Sequence, residues 1–128
     1  MEYGYTKKVN GTFLEVVEKA KGALATEGFG ILTEIDVQAT LKKKLNAEHP
    51  PYLILGACNP PLAYRALQAE KKVGLLLPCN VIVYEDEGNI FVSSILPTVA
   101  MGMVDDPVLA LIAREVEQKL KKVIDSIE

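Results

Sequence analysis

The sequence predicts an α+β fold: a single domain with a mainly antiparallel five-stranded sheet and helices packed on it. Three observations predict it. First, strand-like and helix-like segments alternate up to residue 78, but 79–96 reads as two strands with only a turn between them. A doubly wound parallel sheet needs a helix after nearly every strand, so this hairpin breaks that plan. Second, the last twenty residues carry the strongest helical period in the chain. Third, 128 residues with 49% hydrophobic and 24% charged side chains suffice for one core, spanning 1–128, without metal or disulfide. Two middle helices then read as insertions between strands.

Each element has its own signal. Residues 3–9 alternate well enough for a first strand, which Asn10-Gly11 breaks. Thr12 and Glu15 form a capping box that opens a helix, with Phe13, Val16, Val17, Ala20 and Leu24 on one face and Gly28 placed to stop it. Residues 29–35 predict a second strand with Ile31, Thr33 and Ile35 on one side. Asp36 caps a short helix carrying Val37, Leu41 and Leu45 inward, and His49-Pro50-Pro51 ends that connection.

The nearly continuous apolar run 52–58 predicts a strand buried on both faces. Asn59-Pro60 reads as an N-cap followed by proline at the first helical position, opening a helix through Tyr64, Arg65 and Leu67. A further turn leads to Leu75-Leu76-Leu77-Pro78. Strands at 79–84 and 90–96 flank a turn at 85–89, and an apolar connector spans 98–104. Asp106-Pro107 opens the closing helix. Its stripe is Leu109, Ile112, Val116, Leu120, Val123 and Ile127, and its outer face pairs Glu115 with Lys119 and Glu117 with Lys121.

Charge and composition exclude several function classes. Fourteen basic against seventeen acidic residues give a net charge of −3, without the basic footprint nucleic-acid binding requires. Lys42-Lys43-Lys44 reads as one solvated helical turn. No apolar run is long enough to span a membrane, and the N-terminal residues lack the pattern of a secretory signal. The expected compartment is the cytoplasm, where two cysteines stay reduced.

Catalytic motifs are equally scarce. The chain has no nucleophile elbow, P-loop or dinucleotide fingerprint. Its one histidine, His49, and the cysteines flank the 52–58 strand at opposite ends, roughly 20 Å apart at strand rise, too far for a Cys-His pair. Two cysteines and one histidine fall short of a four-ligand zinc site unless two subunits share one. The Met101 and Met103 thioethers suit Cu(I) but read as packing, so no metal and no cofactor is expected. Glu85, Asp86 and Glu87 read as a solvated turn. Tyr5, Tyr52, Tyr64 and Tyr84 either line a pocket or sit half-buried on strands and helices.

One corner remains. If the strands holding Cys58 and Cys79 are antiparallel neighbours, the end of one meets the start of the other; if parallel, the thiols lie at opposite ends. Asn59 and Asn80 follow the two cysteines, and Arg65 lies one to two turns into the adjacent helix. One reading is a thiol-bearing pocket beside a helix N-terminus, whose dipole favours a thiolate or a bound anion. Pro60 and Pro61 weaken it, since they lack the N–H groups that hold an anion there. In a second reading both cysteines are small buried hydrophobes, and in a third they form a disulfide.

The segments Leu55-Gly56-Ala57-Cys58-Asn59-Pro60-Pro61-Leu62-Ala63-Tyr64-Arg65-Ala66-Leu67 and Gly74-Leu75-Leu76-Leu77-Pro78-Cys79-Asn80-Val81-Ile82-Val83-Tyr84-Glu85 resemble the bacterial and archaeal domain-of-unknown-function family number 302. Asp36-Val37 followed by Thr40-Leu41-Lys42, and the closing helix, fit the same pattern, so the resemblance covers essentially the whole chain. It implies a TBP-like strand-helix-four-strands-helix plan, antiparallel cysteine strands and a homodimer. It implies no reaction. Pro61 departs from the family pattern, which has a polar residue there. The expected function is a homodimeric module binding a small anionic or thiol-reactive ligand near Cys58, Asn59, Arg65, Cys79 and Asn80. Two alternatives stand beside it. One is a thiol-based redox or sulfur-handling enzyme with Cys58 or Cys79 as nucleophile. The other is an interaction domain without ligand, using the 98–104 connector as its interface.

Overall fold

A computed structural model describes residues 2–128. Five strands, β1 (Gly4–Val9), β2 (Gly30–Asp36), β3 (Tyr52–Cys58), β4 (Cys79–Asp86) and β5 (Asn89–Ile95), form one sheet in the order β1-β5-β4-β3-β2. Every neighbouring pair is antiparallel. The helices are α1 (Phe13–Thr26), α2 (Val37–Leu45), α3 (Pro60–Ala69), α4 (Pro97–Ala100) and α5 (Pro107–Ser126). The strand-helix-four-strands-helix plan is present, with α2 and α3 inserted between strands as expected.

The helix signals act as read. Thr12 accepts from the Glu15 amide while the Glu15 carboxylate accepts from the Thr12 amide, each at 3.2 Å, closing the capping box on α1. Asp106 accepts from the Val108 and Leu109 amides at 2.9 Å, satisfying the free donors of α5 beside Pro107. All six residues of the α5 stripe are buried. They meet Val16, Val17, Ala20 and Leu24 of α1 and the sheet residues Leu55, Val81, Val83 and Val92, which form the core. Each large aliphatic side chain in it contributes roughly 1.5–3 kcal/mol through removal of apolar surface from water.

Four expectations need correction. Ile31, Thr33 and Ile35 do not share a side. The register runs Ile31 to Ala57 and then Thr33 to Gly56, so Leu32 is an extra, bulged residue. The slip leaves Ile31 on the helix-covered face and turns Thr33 and Ile35 to the opposite one. Helix α2 buries none of its residues; Leu45 is 71% exposed, because this short helix packs on β2 and β3 rather than on the core. Strand β3 is well buried only over Leu55, Gly56 and Ala57, since the face turned away from α1 and α5 leaves Ile54 half-buried. The hairpin turn is tighter than the acidic run suggested. Strands β4 and β5 extend to Asp86 and Asn89, and Glu87-Gly88 alone turns the chain, both with positive φ.

The apolar connector also has structure: α4 is followed by a 3-10 turn at Met101–Met103. Met101 is buried and Met103 is 75% exposed. Glu117 of α5 holds α4, accepting from the Thr98 amide at 3.1 Å and its hydroxyl at 2.7 Å. Among the described residues, no helix is long and apolar enough to cross a membrane.

Candidate functional site

Antiparallel pairing of β3 with β4 sets Ala57 opposite Cys79, so Cys58 ends its strand beside the start of the next. Both cysteines are free. Both line a cavity of about 260 Å³ enclosed by the ends of β2, β3 and β4, by α3 and by α5. The space exists because the wall residues Ala57, Ala63 and Ala66 are small where α3 crosses toward Ile112 and Val116 of α5. Met101 reaches the cavity from the 3-10 turn. Leu32, the bulged residue of β2, lines the mouth and is 66% exposed. A bulge re-aims one side chain without moving the strands, which gives it this position.

Asn59 occupies the N-cap position of α3 but does not cap it. Its Nδ2 donates instead to the Glu27 carbonyl at 3.3 Å, tying the entrance of α3 to the end of α1. It is the only polar side chain among the lining residues besides the cysteines, and none of the lining residues is charged.

The two thiols differ. Cys58 is half-buried; Cys79 is 8% exposed. Burial, and secondarily the neighbouring Cys58, push the Cys79 thiol up to about 11, because an anion there loses its water and meets a second developing negative charge. Cys79 is therefore a neutral thiol at pH 7.

The remaining expected site residues lie elsewhere. Arg65 points along the surface of α3 and donates from Nη1 to Glu115 Oε2 at 3.0 Å. Asn80 follows Cys79 on its strand and is absent from the lining of this cavity; it borders a depression with Gly4 and Ile82 and, beside Cys79 and Met101, a second hollow next to Leu75–Pro78. The corner thus unites Cys58, Asn59 and Cys79 and leaves out Arg65 and Asn80, which removes the cation from the anion-binding reading. The tyrosines are absent from the cavity as well. Tyr5 donates to Asp125, Tyr64 is exposed, and Tyr52, Tyr84 and Phe91 stack across three strands at centroid distances of 5.6 and 5.3 Å. His49 meets the edge of Tyr52 at the far end of β3, as the strand length implied. Among the described residues, no group of three or more His, Cys, Asp and Glu is placed to hold a metal.

Sequence reading missed Leu32 and the small alanines, and set Met101 aside as packing. The bulge and the 3-10 turn leave no signal in hydrophobic period, and an alanine bordering a void looks like any helix alanine. Only the packing of α3 against α5, beside the ends of β3 and β4, assembles them.

Fold and site together define an α+β sheet domain with an apolar cavity bearing both cysteines at a sheet end. The chain belongs to the family described as Domain of unknown function DUF302, whose model matches residues 5–127. It is similar over its whole length to a solved structure, an uncharacterized conserved protein DUF302 from Bacillus stearothermophilus. Identity is 34%, coverage is 100% of both chains and the TM-score is 0.94. No curated protein matches the sequence.

Proposed function

We propose that this protein is a homodimeric binding module whose cavity takes a small, uncharged ligand beside Cys58 and Cys79. The observation that carries the proposal is the cavity itself: about 260 Å³ of space beside the core, open at its mouth, uncharged and lined almost wholly by apolar side chains. Such a space suits a small apolar ligand with one soft or thiol-reactive group. A nucleophilic role for Cys79 runs against its raised pKa, since the thiolate is the reactive form. A purely structural domain would be served better by filling the void, since empty apolar volume costs stability.

The dimer rests on the sheet. Helices α1 and α5 cover one face, while the other presents Ile54, Ile82, Tyr84, Phe91 and Ile95, all only partly buried. A second copy is the simplest partner for so apolar a sheet face.

The chain contains no tryptophan, so one introduced at the mouth reports on the cavity alone. In Leu67→Trp, titration with 1-anilinonaphthalene should quench the indole by energy transfer, and Ala63→Phe added to it should abolish the response while the fold persists by circular dichroism. Absence of the response in the single variant, or its persistence after Ala63→Phe, overturns the ligand reading.

A further inference from the structure

The geometry points to a soft-cation site in this cavity, with Cu(I) held by Cys58 Sγ, Cys79 Sγ and Met101 Sδ. The inference deepens the proposed function, since it rests on the same cavity being a ligand site. Three sulfur-bearing side chains from distant parts of the sequence line one small space: the end of β3, the start of β4 and the 3-10 turn after α4. The protein has two cysteines and three methionines in all, so both of its thiols and one of its thioethers converge there.

Thiolate and thioether sulfur select Cu(I) over the harder divalent ions. A structural zinc site needs four nitrogen or sulfur ligands, and the cavity offers three sulfurs with no histidine or carboxylate among its lining residues. The methionine pair shows the same selectivity of placement: Met101 is buried against the cavity, whereas Met103, two residues on, is turned to solvent. Mere filling of the core does not require both cysteines and a thioether at one void.

Charge and protons balance as follows. Binding one Cu(I) replaces the Sγ proton of each cysteine, and both protons leave to solvent. Two thiolates and one monovalent cation leave one net negative charge. Helix α3 begins two residues beyond Cys58, and its dipole favours that charge, weakened by the missing N–H groups of Pro60 and Pro61. Cys58 and Cys79 line the same cavity, and a cation between two thiolates offsets their mutual repulsion. Metal oxidation state does not change, so no oxidant or reductant takes part.

The test is an anaerobic competition in which reduced protein draws Cu(I) from its coloured bicinchoninate complex. The wild type should remove one Cu(I) per chain. Loss of a direct ligand in Cys58→Ser or Cys79→Ala should weaken binding at least as much as loss of a ligand's supporting partner, roughly 10–100-fold. Met101→Leu, which keeps the volume, should weaken it measurably. Cys58→Ser replaces one atom at a half-buried position, so it tests the site even where the deeper variants lower stability. Failure of the wild type to take Cu(I), or undiminished affinity in Cys58→Ser or Met101→Leu, overturns the metal site. If copper is refused while the naphthalene probe still binds, the metal site falls and the ligand cavity stands; if both are refused, both fall.

Discussion

At the scale of single residues, Cys79 shows how position changes chemistry. Its register puts it on the helix-covered face, and burial keeps it protonated. The folded state therefore holds its proton to about pH 11, whereas an exposed thiol loses its own near 9.0. Its contribution to stability is full below pH 9 and is lost as pH rises from 9 to about 11. The whole interval is worth on the order of 2–3 kcal/mol. Lysines and tyrosines titrate in the same range, so the comparison that isolates it is with Cys79→Ala. Urea denaturation of the reduced proteins at pH 8, 10 and 11 should show the wild type losing more stability than the variant across that window.

At the scale of elements, β2 and β3 are held together by a missing side chain. A Cβ at Gly56 would collide with Thr33 Oγ1 and come within 2.9 Å of Pro78 Cγ. Gly56→Ala should therefore cost about 1–3 kcal/mol through overpacking, measured by chemical denaturation. Thr33→Ala in the same chain should restore part of that loss, since one of the two obstacles is gone. This contact explains which parts of the fold were legible in the sequence. The capping box of α1, the proline starts and the six-residue stripe of the closing helix are local and periodic, and the structure shows each of them. The bulge at Leu32, the exposure of α2 and the helix at Pro97–Ala100 depend on what packs alongside, which no local pattern records. The candidate site divides the same way. Cys58, Asn59 and Cys79 met because an antiparallel ladder joins strand ends. Arg65 and Asn80 failed to join them because neither lines the cavity: one lies along a helix surface and the other borders neighbouring hollows.

At the scale of the whole molecule, the sheet has two unlike faces. The cavity opens at one end of the helix-covered face, and the proposed dimer uses the other. The two are separable by experiment. Ile82→Asp places a charge among Ile54, Tyr84 and Ile95 on the face turned from α1 and α5. Sedimentation should find the wild type as a dimer and this variant as a monomer that keeps its probe binding. A monomeric wild type would sink the dimer.

The bulge in β2 has one more consequence. A sheet of this order leaves two unpaired borders, β1 and β2, and bare strand borders invite other chains to add to them. Here one border carries Lys7 and Lys8, and the other carries Glu34 and Asp36 on a strand kinked by its extra leucine. Neither is a flat, apolar template. The irregularity that furnishes the cavity mouth thus also guards the sheet border against edge-to-edge growth, which leaves sheet stacking as the mode the proposed dimer would use.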